Sequence, residues 1–289
     1  MLDDYITYHI KSSKAKDIDP SNDALRYISD RFELNIEQRY WLAFLYATCY
    51  SATTVYYIYN EFPDYENVNV NRLNLWWESN KNKTLFQTDR LRIKTQNKFV
   101  ESFISYKELL NGMTQSMYFN SLKQNTKHNT YNNLYINLLQ IKNFGRFTLF
   151  LYIEMINVLT QYDTEPDFLD LKRADNCREG LMYHLIKTNK ISHIKKKLSD
   201  NDIKYLQYEF RNLHESIKEL NIEHDNIWNI ETTLCAYKKY NHNKRYVGYY
   251  IERMKKEIIK MSTNVNNGVD WSVMWDFRQE TYHEKWLTE

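Results

Sequence analysis

Apolar residues recur along this chain at spacings of three and four. The clearest run is Asp200 to Leu220, where Ile203, Leu206, Phe210, Leu213, Ile217 and Leu220 keep a period near 3.6. That period marks an amphipathic helix. Asn201 and Asp202 sit where its N-cap belongs. The same reading predicts helices over Tyr131 to Lys142, Phe147 to Leu159, Asn176 to Lys187, Asp225 to Lys239 and Arg245 to Met261. Glu37 to Tyr59 is apolar on nearly all sides, as a buried helix is. Its part from Tyr40 to Tyr59 carries no charge and is long enough to cross a bilayer. It is dense in Tyr, Thr and Ser, with Arg39 and Glu61 at its edges, so a core helix is expected and not a membrane span.

Punctuation supports an all-α fold. Five glycines and three prolines are too few to turn a many-stranded chain. Gly112 and Gly268 follow apparent helix ends, and Asn267-Gly268 is a turn signal. The polar stretches Asn120 to Asn133 and Thr188 to Asp200 are the expected breaks. The expected organisation is an N-terminal extension over 1–36 and a helical domain over 37–289, sub-divided near 188–200.

Composition narrows the picture. A chain of 289 residues can form one large domain or two moderate ones. Aromatic content is high at 16%, and Tyr and Trp suit half-wet surfaces as well as cores. A net charge of +2 sets up no global basic field, although Arg90, Arg92 and Lys94 cluster, as do Lys195, Lys196 and Lys197. Cys49, Cys177 and Cys235 are scattered and odd in number, which fits a reducing cytosol better than a disulfide framework. The opening MLDDYITYHIKSSK has no apolar core of a signal peptide. No P-loop, GxGxxG, HExxH, GxSxG or Cys-x-x-Cys is present. No metal-ligand set is assigned.

One stretch carries a question. In LLQIKNFGRFTLFLYIE, from Leu138 to Glu154, Lys142 and Arg146 bracket Gly145 between two helical runs. A glycine-centred hairpin bearing cations is one way to grip a DNA phosphate. The plain alternative is an αα-turn with a glycine after the helix end. Further stretches are as specific: NEFPD at 60–64, FQTDRLR at 86–92, ETTLCAYKK at 231–239, RYVGYYIER at 245–253 and VDWSVMWDFR at 269–278.

Together, from about Glu37 to about Arg278, these motifs resemble the phage α-glutamyl/putrescinyl thymine pyrophosphorylases, also described as amino acid:DNA transferases. That family is similar to the helical domain of phage 5-hydroxymethyluracil DNA kinases. The resemblance implies a helix-hairpin-helix fold related to DNA glycosylases. Its hairpin usually has two glycines, where this chain has Phe144-Gly145. It also implies a reaction. In double-stranded DNA, a uracil bearing a pyrophosphate ester on its 5-methylene exchanges pyrophosphate for the amine of an amino acid or polyamine. A 5-hydroxymethyluracil DNA kinase is the implied partner, the host cytoplasm the implied setting, and no membrane is involved. A divalent metal is compatible with this chemistry.

Residue types then suggest roles. A flipped base needs an aromatic pocket, for which Tyr249, Tyr250, Trp271 and Trp275 are candidates, with core packing as the alternative. A departing pyrophosphate needs cations, offered by Arg90, Arg92, Arg178, Lys238, Arg253 and Arg278, each equally readable as a solvated charge. The incoming amine needs a base. Glu231 leads its motif, two helical turns before Lys238; Asp89 and the Asp167–Asp170 pair are the other carboxylates, the latter also placed to cap a helix after Pro166. DNA contact falls to Lys142, Gly145 and Arg146. Cys235 reads as a small buried residue and not a nucleophile. Two other readings stand beside this one: a non-catalytic DNA-binding partner of the kinase, and a non-enzymatic helical interaction protein.

Overall fold

The computed structural model describes residues 4–95, 97–265, 268–283 and 285, and of Asp89 only the backbone. Asn267 of the expected turn lies outside the described residues; Gly268 has φ +85. Regular structure among the described residues is helical throughout. The first α-helices are α1 (Asp4–Lys14), α2 (Pro20–Arg31), α3 (Ile36–Cys49), α4 (Ala52–Glu61), α5 (Val70–Asn80), α6 (Leu91–Thr95) and α7 (Lys98–Leu110). They are followed by α8 (Gln115–Ser121), α9 (Lys127–Leu138), α10 (Arg146–Thr160), α11 (Asp175–Lys187), α12 (Asp200–Lys218), α13 (Ile227–Asn241), α14 (Tyr249–Asn264) and α15 (Ser272–Thr281). None is long and apolar enough to cross a membrane.

Two compact units do not follow chain order. The first holds residues up to Pro20, Pro166–Arg253 and those from Thr281 on; the second holds Ser21–Glu165 and Met254–Glu280.

The second unit is built on α3. A capping box starts it: Asn35 accepts from the Gln38 backbone at 3.0 Å, and the Gln38 side chain accepts from the Asn35 backbone at 3.1 Å. Every residue from Tyr40 to Cys49 is then buried. Phe44 stacks on Tyr106 and Tyr40 on Phe119, each at 4.5 Å between ring centroids. Glu37 reaches the start of α8, accepting from the backbones of Gln115 at 2.8 Å and Ser116 at 2.9 Å. The single helix expected over Glu37 to Tyr59 is two. Tyr50 takes a left-handed conformation, φ 53, and Ser51 accepts from the Thr54 backbone to start α4. The hydroxyl cluster that made the run look unlike a membrane span is the break itself. Similarly, α9 starts earlier than expected, because Thr126 caps it inside the polar stretch read as a break.

The first unit packs α11 across α13. At the crossing a Cβ on Gly180 would lie 2.0 Å from the Leu234 carbonyl oxygen, so the two backbones meet with no room for a side chain. On another side of α13, α1 is tied by buried polar groups. Tyr5 Oη and His9 Nδ1 each lie 2.8 Å from Thr233 Oγ1, and His9 Nε2 lies 2.8 Å from the His224 carbonyl. Burial lowers the pKa of His9 to about 4, so the imidazole is neutral at physiological pH. In α12 the N-cap is Ser199, not Asn201 or Asp202. Asp202 is the third helical residue, whose carboxylate returns to the Ser199 backbone at 2.9 Å.

Gly180→Ala forces the α11–α13 crossing apart and should destabilise by at least about 1–3 kcal/mol. Gly145 meets nothing within 4 Å, and Gly145→Ala should cost under about 1 kcal/mol. Thermal melts followed by circular dichroism compare the two; equal midpoints would refute the close crossing.

Candidate functional site

Asn226 starts α13 by accepting from the Asn229 backbone at 3.0 Å. Glu231, Cys235 and Lys239 then follow at four-residue spacing, which places them along one stripe of the helix. Cys235 donates to Glu231 Oε1 at 3.2 Å. Its neighbour Cys177 on α11, then burial, then the Glu231 charge hold its pKa well above the ordinary thiol value. The thiol therefore stays protonated and is a poor nucleophile. Lys238 reaches across to α11, where Nζ lies 2.7 Å from Glu179 Oε2 and 3.0 Å from Asn176 Oδ1.

The start of α14 is held by a residue from far away in sequence. Asp17, buried, accepts from the backbones of Gly248 at 2.6 Å, Tyr250 at 2.9 Å and Ile251 at 3.0 Å. Burial pushes its pKa up to about 7, against those three bonds and the nearby Arg245 charge. Asp19 accepts from Thr232 Oγ1 at 2.6 Å. The Arg245 guanidinium lies over the Tyr249 ring at 3.4 Å from its centroid, and 5.3 Å from that of Tyr250. Burial, then the charges of Arg245 and Arg253, lower the pKa of half-buried Lys239. The α13 stripe and the α14 start thus bring Glu231, Lys239, Arg245, Tyr249, Tyr250 and Arg253 into one region of the first unit.

The other expected residues fall elsewhere. Arg178 is spent locally, pairing with Asp175 at 2.6 Å and donating to the Leu171 carbonyl at 2.7 Å. The Asp170 carbonyl accepts from the Ala174 backbone at 2.8 Å in the turn before α11. In the second unit, Gly145 has extended backbone, φ −110 and ψ −178. Asn143, with φ 66, takes the left-handed position of the turn instead. The turn is pinned to α7: Lys142 N donates to Ser105 Oγ at 2.8 Å and Ser102 Oγ donates to the Lys142 carbonyl at 2.9 Å. Lys142 itself is exposed, and no side chain caps the first turn of α10. Arg90 is buried, its Nε donating to the Ala47 carbonyl at 3.0 Å and its guanidinium 5.4 Å from the Phe147 ring. The Asp89 side chain lies outside the described residues. Trp271 donates to the Val265 carbonyl at 2.9 Å and packs edge-on against Tyr56. Trp275 is half-buried, and Arg278 is buried.

Sequence reading missed four residues of the first-unit cluster: Asp17, Asp19, Lys239 and Arg245. Lys239 and Arg245 stand inside motifs already singled out, and their signal was the doubled lysine and the arginine at the motif edge. Asp17 and Asp19 belong to a segment read as an extension and carry no spacing signal. The first unit also holds a cavity of about 340 Å³ beside the 188–199 segment, lined among others by Met182, Lys190, His193, Lys195, Tyr205 and Leu206. Its lysines are neutralised, Lys190 by Glu209 at 2.6 Å and Lys195 by Asp202 at 2.8 Å.

The amino acid:DNA transferase family model matches residues 13–246. The match takes in the whole Glu231–Lys239 stripe, Asp17, Arg245 and the Lys142–Phe147 turn, and the chain belongs to that family. It begins ahead of Glu37 and stops before Tyr249, Tyr250, Arg253, Trp275 and Arg278. A Salmonella phage ViI protein named serinyltransferase is 27% identical over 246 residues, covering 77% of this chain. This chain spans 58% of that relative's length. No solved structure matches.

The raised pKa of Asp17 has a sign. Its folded value lies above its unfolded one, so its contribution to stability is full below pH ~4 and is lost as pH rises to about 7. Denaturant unfolding of the wild type and Asp17→Asn should show the wild type losing stability relative to the variant over that window. A difference constant from pH 4 to 7.5 would refute the shift.

Proposed function

We propose that the chain transfers an amino acid onto a modified pyrimidine in phage DNA. The observation that carries this reading is the Glu231–Cys235–Lys239 stripe beside the α14 start, lying within the segment that matches the amino acid:DNA transferase family. Transfer of an amine needs a base for the amine proton and cations for the leaving group. That region offers both.

In the proposed reaction the substrate is a uracil in double-stranded DNA whose 5-methylene carries pyrophosphate. The amine nitrogen attacks the methylene carbon; the C–N bond forms as the C–O bond to pyrophosphate breaks. Glu231 takes the proton that the amine loses. Arg253 meets the charge that gathers on the departing pyrophosphate. Cys235, a thiol donating to Glu231, orients the carboxylate and does not attack. Tyr249 and Tyr250 are the proposed platform for a base rotated out of the duplex. The name of the Salmonella phage relative favours an amino acid over a polyamine as donor. A kinase acting on 5-hydroxymethyluracil in DNA supplies the activated base, and the reaction runs in the host cytoplasm. In the second unit, the Lys142–Phe147 turn is the proposed hairpin contact to a DNA phosphate. Its donors are the exposed Lys142 side chain and the uncapped start of α10, with Arg146 beside them, since the Lys142 backbone N–H is already taken by Ser105.

Incubation with duplex DNA carrying the activated base and an amino-acid mixture, followed by digestion to nucleosides and mass spectrometry, should reveal an aminoacyl-modified thymine analogue. Glu231→Gln keeps the acceptor for Cys235 but removes the base. It should leave a folded protein that binds DNA and lose about a hundredfold or more in transfer. A variant that melts lower yet turns over normally in its folded fraction would make Glu231 structural.

The turn has its own test. Lys142→Ala with Arg146→Ala should weaken duplex binding equally for all sequences, with the salt slope falling by roughly one for each phosphate no longer neutralised. Unchanged affinity and slope in the folded double variant would leave an ordinary helix connection.

A further inference from the structure

Several cations of the first unit are answered by carboxylates. Lys190 pairs with Glu209, Lys195 with Asp202, Lys238 with Glu179 and Arg178 with Asp175, all between 2.6 and 2.8 Å. Lys239 and Arg245 differ from these. Among the described residues neither forms an ion pair, and Arg245 Nε is buried with no hydrogen-bond partner. Both are half-buried, and each lies within reach of the other's charge. The carboxylate nearest in influence, Asp17, is committed to three backbone N–H groups at the start of α14. Two half-buried like charges that no ion pair offsets oppose folding, and an arrangement of that kind marks a candidate functional site.

Building on the transfer reading, we propose that Lys239 and Arg245, with Arg253, form a subsite for a condensed phosphate, the pyrophosphate that leaves the activated base. The phosphodiester backbone of DNA shares this chemistry. The geometry favours the condensed anion. Backbone contacts call for exposed cations spaced along a surface. Here the cations are half-buried and converge from the end of α13, the loop after it and the first turns of α14. Arg245 is further fixed by its stacking on Tyr249, which orders the guanidinium before any ligand arrives. Lys238, one residue from Lys239, is neutralised by Glu179, so the role the motif suggested for it passes to its neighbour.

The test is calorimetry of the full chain with inorganic pyrophosphate, unmodified duplex DNA in a parallel arm, and transfer measured separately. Wild type should bind pyrophosphate. Lys239→Met and Arg245→Met should each weaken binding by about tenfold or more, as loss of a charged hydrogen bond does. Lys239→Arg should restore it, and Lys190→Met should leave it unchanged. Lys239→Met should also melt no lower than wild type, because it removes repulsion and keeps the apolar stem. Should Arg245→Met fail to fold, the Lys239 pair of variants decides. The subsite is overturned if wild type does not bind millimolar pyrophosphate, or if Lys239→Met binds it as wild type does. A fall in duplex affinity parallel to that for pyrophosphate would also overturn it, making these cations backbone contacts. Pyrophosphate binding lost in Lys239→Met, in a wild type that transfers nothing, would support the subsite and sink the transferase reading. Transfer unchanged in Lys239→Met would do the reverse.

Discussion

The contact on which the first unit depends is the meeting of two backbones at Gly180 and Leu234. Helices usually pack 8–10 Å apart, held off by side chains. Where one residue has none, the axes come closer and neighbouring side chains must sort themselves to either side. Cys177 comes to lie beside Cys235, and Lys238 reaches Glu179. Lys239 is turned toward the start of α14, into the company of Arg245 and Arg253. The phase of α13 then sets which of two adjacent lysines meets a carboxylate of α11 and which faces the start of α14.

Much of the helical plan was readable because period and caps act locally. The limits of α10 and α11 follow apolar spacing that no distant contact overrides. Where the reading failed, a polar residue was doing work that spacing does not display. Ser51 interrupts an apolar run because its hydroxyl caps a new helix, and Thr126 starts α9 inside a stretch that composition marked as loose. The turn at Gly145 shows the same limit. Glycine is permitted the left-handed conformation, but Asn143 is the residue that takes it, leaving Gly145 extended. Asparagine tolerates that region through its short polar side chain, so either residue was a fair choice from sequence.

The candidate site was legible in part for a different reason. Motifs point to a neighbourhood, and neighbours along a helix differ in direction by about 100° per residue. ETTLCAYKK located the stripe but not which lysine belonged to it. A net charge of +2 likewise concealed the cluster, since an excess of positive charge in one place is balanced by carboxylates elsewhere. Asp17 had no local signal at all: its partners are the backbones of Gly248, Tyr250 and Ile251, and its role exists only once the chain has folded.

That long-range tie has a consequence for how the protein comes into being. Tyr5 and Thr233 are separated by 228 positions, and Asp17 and Gly248 by 231. A ribosome adds about 5–20 residues per second, so α1 emerges many seconds before the helix it must join. During that interval the whole Ser21–Glu165 stretch is made, and the Tyr5 and His9 face of α1 stays exposed in the nascent chain. The first unit can close only once α13 and the start of α14 have been made. Its completion has a long loop to close, and the early helix is the segment for which chaperones have most to do.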